Sequence, residues 1–124
     1  MTNLDFIKPS GKVGVEVHGI DLSKGVSGSD FKKIKEAFIK NGLIFFRDQN
    51  LSPEQHINFA QQWGEININR FFAKVDGFEK IAEVKKEPDQ KINIGEGWHT
   101  DHSYDQIPAL GSMLLARETP KEGG

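Results

Sequence analysis

Hydrophobic and polar positions are arranged most regularly in the first half of the chain. Val13-Gly14-Val15-Glu16-Val17-His18 alternates with period two, which predicts a strand with a valine face toward a core and His18 on the polar side. Gly19 and Asp21 then turn the chain. Ser27-x-x-Asp30 resembles a capping box with Asp in place of the usual Glu, and predicts a helix running to Lys40. Phe31, Ile34, Phe38 and Ile39 form its apolar stripe, while Lys32, Lys33, Lys35, Glu36 and Lys40 line the other side. Asn41-Gly42 offers the left-handed residue that ends such a helix. Leu43-Ile44-Phe45-Phe46 is a continuous apolar run, which predicts a short strand covered on both sides. Ser52, Pro53 and Gln55 announce a second helix, with a cap, a proline at the first helical position and a Ser-x-x-Gln box. His56, Ile57, Ala60 and Trp63 share one of its faces, and Gly64 stops it.

The second half is less periodic. Residues 66–75 alternate and then turn aromatic, which predicts a strand passing into a loop. Residues 80–85 read as another strand, and the charged stretch 86–91, with Pro88, as a mobile loop. Residues 108–117 contain Met113-Leu114-Leu115-Ala116, predicted to be a buried strand beside one formed by residues 97–104. Strands of both kinds with two helices predict a mainly β, α+β architecture with the helices packed outside. The 124 residues suit a single domain over 1–124 with a modest core.

Composition narrows the classes. Apolar residues make up 36% of the chain, with nine Phe and two Trp, which fits a globular domain rather than a disordered one. No apolar run approaches the ~20 residues of a membrane span and no signal peptide is visible, so no membrane partner is expected. Zero cysteines exclude disulfides and thiolate ligands and match a reducing, cytoplasmic setting. Sixteen basic and 18 acidic residues give a net charge of −2, which exerts no pull toward nucleic acid. The lysines of the first helix read as a solvated face, since Asp30 and Glu36 interrupt them and no aromatic interleaves.

The candidate chemistry lies in Gly97-Trp98-His99-Thr100-Asp101-His102-Ser103-Tyr104. In extended backbone, positions i and i+2 face the same way, about 6 to 7 Å apart, so His99 and Asp101 aim together while Thr100 points elsewhere. A nitrogen and a hard oxygen ligand on one face, completed by a distant His, form the two-His-one-carboxylate arrangement of non-haem Fe(II) oxygenases. His102 offers zinc a third local ligand, but in a strand it faces away from the other two. Tyr104 falls on the His99 and Asp101 face, where it either lines a pocket or packs into a core. His18 stands alone in the sequence and reads as solvated or structurally hydrogen-bonded, and His56, early on the second helix, reads as structural.

Longer stretches resemble a known family. Trp98-His99-Thr100-Asp101, Tyr104, Pro108-Ala109 and Gly111-Ser112-Met113-Leu114-Leu115-Ala116-Arg117-Glu118-Thr119-Pro120, closing in Gly123-Gly124, are similar to the taurine catabolism dioxygenases. Earlier stretches agree in order: Gly14-Val15-Glu16-Val17-His18-Gly19-Ile20-Asp21-Leu22-Ser23, Leu43-Ile44-Phe45-Phe46-Arg47-Asp48-Gln49, Leu51-Ser52-Pro53-Glu54-Gln55, Phe59-Ala60 and Trp63-Gly64-Glu65. The resemblance implies an Fe(II)- and 2-oxoglutarate-dependent dioxygenase, with His99 and Asp101 as two of three metal ligands. Such enzymes take O₂ and a small anionic substrate, hydroxylate a C–H bond and convert 2-oxoglutarate to succinate and CO₂. The implied fold is a double-stranded β-helix, or jelly roll, of which this chain resembles the opening part.

Asn69 and Phe72 match positions where taurine-acting members carry a substrate-touching His and Tyr, and Gly95 matches an Asn. Those departures point away from taurine itself, with sulfonate-like organic acids still open. Family members are longer, so the resemblance also implies a truncation before the second metal His and the Arg that holds 2-oxoglutarate. No cofactor-binding residue is then expected within the chain beyond the metal ligands, and the piece alone would be inactive. A rival reading is a non-catalytic metal-binding or self-associating module, two copies pairing through open sheet edges.

Overall fold

The valine alternation forms a strand, and a short segment ahead of it pairs with it. β1 (Asp5–Ile7) and β2 (Val15–His18) run antiparallel, with Asp5 opposite His18 and Ile7 opposite Glu16. Val15 and Val17 are buried, whereas His18 faces solvent and bonds to Glu16, Nε2 to Oε1, at 3.0 Å. These elements come from a computed structural model that describes residues 2–9, 11 and 13–122, and the chain divides into two compact units, Met1–Glu65 and Ile66–Gly124.

In the first unit α1 (Gly28–Asn41) starts as its sequence requires. The Ser27 hydroxyl accepts the Asp30 N–H at 3.1 Å and donates to the Asp30 carboxylate at 2.9 Å. The Thr2 hydroxyl donates to the same carboxylate. Gly42, at φ 72°, closes the helix by giving its N–H to Phe38 O at 2.7 Å. Ile34 is completely enclosed, but Ile39, expected on the same stripe, is 71% exposed. Five residues past Ile34 is about 140° round a helix, which carries Ile39 off the buried face.

β3 (Ile44–Phe45) adds to β2 in parallel, giving the order β1-β2-β3. Ile44, Phe45 and Phe46 are only half-buried and Leu43 is 50% exposed, so the apolar run 43–46 is not the fully covered strand expected. Among the described residues β2 is its one neighbouring strand. α2 (Pro53–Gln61) carries both halves of the predicted box: Ser52 Oγ accepts the Gln55 N–H at 3.2 Å, and Gln55 Oε1 accepts the Ser52 N–H at 2.8 Å. Leu22, in a 3₁₀ turn, joins Val15, Val17, Ile34, Leu51 and Phe59 in the core. Beside them Trp63 meets Phe31 and Phe38 edge-on, with ring centroids 5.0 and 5.3 Å apart.

The second unit holds one hairpin, β4 (Lys74–Val75) with β5 (Phe78–Ala82), turned through Gly77 at φ 77°. The predicted strand over 66–75 survives only at its end, and that over 80–85 only at its start. Residues 97–104 run through bends and turns, and Met113-Leu114-Leu115-Ala116 is not a strand; Leu114 is 84% exposed. A strand needs neighbouring backbone for its N–H and C=O groups, and none of the described residues supplies it to 111–117. Gly123 and Gly124 lie outside the described residues. The described residues thus form small sheets and helices, and strand does not predominate among them as expected: their two α-helices hold more residues than their five strands together. Among the described residues, no helix is long and apolar enough to cross a membrane.

Candidate functional site

Although residues 97–104 are not a strand, His99 and Asp101 meet. A turn through Gly95, at φ 73°, brings its backbone against the imidazole, where an added Cβ would sit 3.3 Å from His99 Cε1. His99 Nδ1 lies 2.7 Å from the carbonyl oxygen of Gly97. A carbonyl can only accept, so Nδ1 donates to it. His99 Nε2 is 3.3 Å from Asp101 Oδ1, with both side chains more than half exposed. A ring nitrogen and a carboxylate oxygen this close share either a proton or a cation. Cis ligands on an octahedral ion with bonds of about 2.1 Å stand about 3.0 Å apart, so the imidazole and carboxylate fit a divalent cation in spacing and in donor type.

The neighbouring positions do other work. His102 has a left-handed backbone, φ 54°, and breaks the alternation directly after Asp101. Its Nδ1 is 3.0 Å from Asp105 Oδ2, and Asp105 Oδ1 is 3.6 Å from an Arg70 Nη. His102 therefore does not join His99 and Asp101. Among the described residues no group of three His, Cys, Asp or Glu is placed to hold a metal, so the local three-ligand zinc arrangement is not formed. Tyr104, expected beside His99, instead packs edge-on against Phe71 at 6.0 Å and lies 5.8 Å from the His102 ring. Asn69 Oδ1 accepts the N–H groups of Phe71 at 2.8 Å and Phe72 at 3.0 Å, closing a tight turn. Phe72 itself is half-buried.

Asn69, Arg70, Phe71, His102, Tyr104 and Asp105 border a shallow depression. Arg70 and Asp105 were not among the residues the sequence pointed to. His102-x-x-Asp105 and a cation flanked by Asn69 and Phe71 are the only local traces they leave, and both patterns are common.

The taurine catabolism dioxygenase TauD, TfdA family matches residues 6–124, and the chain belongs to that family. It is 28% identical over 122 residues to an alpha-ketoglutarate-dependent sulfate ester dioxygenase of Pseudomonas putida, covering 98% of this chain and 40% of that protein. It is also 28% identical over 116 residues to an (S)-phenoxypropionate/alpha-ketoglutarate-dioxygenase of Sphingobium herbicidovorans, covering 90% and 39%. Among solved structures, a taurine dioxygenase from Burkholderia xenovorans superposes with a TM-score of 0.57 at 34% identity, over 61% of this chain and 28% of that one. The chain spans about 40% of the length of the curated relatives it matches.

Proposed function

We propose that this chain provides the metal-holding portion of an Fe(II)- and 2-oxoglutarate-dependent dioxygenase that hydroxylates a small organic acid, sulfonate-like substrates included. The observation that carries the proposal is the His99 Nε2 to Asp101 Oδ1 approach of 3.3 Å, with the ring's other nitrogen fixed on Gly97 O. In this reading residues 1–124 form the part of a jelly-roll dioxygenase domain that bears two protein ligands, and the small sheets are pieces of that barrel. Fe(II) and 2-oxoglutarate, when bound, supply O₂ activation and the oxidising power for C–H hydroxylation. The chain's own residues hold and orient. The Gly97 carbonyl sets the His99 tautomer and ring angle, Gly95 leaves room for the ring, and Asp101 brings the hard, negative oxygen.

Asn69, Phe72 and Tyr104 are proposed on the substrate side. The oxygen of Asn69 is committed to its own turn, which leaves only its amide hydrogens for a ligand, and Phe72 offers no polar atom. Both features support a substrate other than taurine. Titration of the intact chain with Mn(II), followed by electron paramagnetic resonance, tests the centre. His99→Ala and Asp101→Ala should each weaken binding at least 10 to 100-fold, the range typical of losing even an outer hydrogen-bond partner. Equal affinity in all three proteins would overturn the proposal. Succinate release from 2-oxoglutarate in the presence of candidate acids then reads the reaction.

A second reading, a self-associating module, draws on the exposed apolar side chains of the second unit, among them Ile92 at 76%, Ile107 at 87% and Leu114 at 84%. Sedimentation over a range of concentrations decides it: a monomer at every concentration removes this reading.

A further inference from the structure

We infer that Arg70 is the specificity-determining residue that receives the anionic head group of the substrate, an inference that rests on the dioxygenase reading above. Its guanidinium lies over two rings that stand at 89° to each other, with Cζ 5.1 Å from the centre of Phe71 and 5.5 Å from that of Tyr104. Ring contacts of this kind hold the cation without supplying a conventional acceptor to its N–H donors. Asp105 stands nearby without consuming those donors. Its contact is 3.6 Å, longer than a hydrogen bond, and its other oxygen is held by His102 at 3.0 Å. Asp105 thus competes only weakly for Arg70, and the arginine side chain remains 67% exposed.

The surroundings suit an oxyanion. Lys74 Nζ reaches the Asn69 carbonyl at 3.2 Å, which puts a second positive charge on the same turn. Asn69, whose side-chain amide can donate, borders the same depression. His102, next in the chain after Asp101, also lines the depression. A carboxylate or a sulfate would take two guanidinium N–H groups side by side, the geometry in which Arg outperforms Lys.

Isothermal titration of the intact chain with hexyl sulfate, hexanoate and hexan-1-ol tests the inference. Arg70→Ala should weaken the preferred anion about tenfold or more and leave the alcohol unchanged, as expected for losing a charge-assisted pair. Arg70→Lys should recover part of the loss. Asp105→Asn, which removes the competing carboxylate, should tighten the anion. The ranking of hexyl sulfate against hexanoate names the head group. Unaltered anion affinity in Arg70→Ala, or wild-type affinity for the alcohol equal to that for both anions, overturns the inference. If Arg70→Ala loses its circular dichroism spectrum, the opposed shifts of Arg70→Lys and Asp105→Asn carry the decision. Mn(II) affinity, measured on the same samples, reports on His99 and Asp101 separately, so a failed metal centre and a failed anion site give different results.

Discussion

Ile34 and Leu114 are both aliphatic residues in apolar stretches, yet one is wholly enclosed and the other is 84% exposed. The contrast extends to the two units around them. Met1–Glu65 encloses Val15, Val17, Leu22, Ile34, Leu51 and Phe59 between two capped helices and a three-stranded sheet. Among the described residues of Ile66–Gly124 none is fully buried, and one short hairpin is its regular structure. The unit that bears the candidate chemistry is therefore the one held least by packing. His99, Asp101 and Arg70 are positioned by backbone turns, a carbonyl, two aromatic rings and a carboxylate, all local polar or stacking contacts. Stability and chemistry are divided between the two regions, as expected when cohesion follows buried apolar area and function follows accessible groups.

Substitutions can break or sharpen that division. The largest effect should come from Ile34→Ala, which leaves a cavity and should cost about 2–5 kcal/mol in urea unfolding, whereas Leu114→Ala should stay within about 0.5 kcal/mol. Comparable costs would mean that Leu114 is enclosed in solution. Ser52→Ala removes the oxygen that accepts the Gln55 N–H and should cost about 1 kcal/mol, with the loss confined to the first unit in amide exchange.

A smaller, pH-dependent effect belongs to Asp30. Hydrogen bonds from the Thr2 and Ser27 hydroxyls hold its carboxyl below the usual carboxylate range, against the opposing effect of burial. A folded-state value below the unfolded one contributes stability above the unfolded value of about 3.8, lost as pH falls through the folded value. Wild type should therefore lose stability more steeply than Asp30→Asn below that pH; parallel curves would show that the bonds do not persist. Smallest of all, His99→Ala and Asp101→Ala should shift apo stability by no more than about 0.5 kcal/mol, since both side chains are mostly exposed. A loss of several kcal/mol would place the site in a packed region and erase the contrast.

Legibility in the sequence followed the range of the interactions. Both helix starts were readable because a cap joins residues three apart, and Ser27-Asp30 and Ser52-Gln55 bond as their spacing implies. β1 was not readable, because its three residues become a strand only by pairing with β2 across a loop. Residues 111–117 look like a strand by composition, but composition does not provide a neighbouring strand. Alternation placed Tyr104 beside His99, and the left-handed turn at His102 sent it to Phe71 and Arg70 instead. The His99 and Asp101 pairing survived the loss of the assumed strand, because a turn at Gly95 and a bond to Gly97 bring the same two groups together by another route.

The amino-acid order by itself determined the helices, the valine face of β2 and the identity of the two candidate metal ligands, since each depends on residues within a few positions of one another. Only the tertiary structure decided which apolar runs found cover and that Arg70 would stand against Asp105 and Tyr104, more than thirty residues away in the chain. Contacts at that separation arise from chain closure and packing, and no local pattern encodes them.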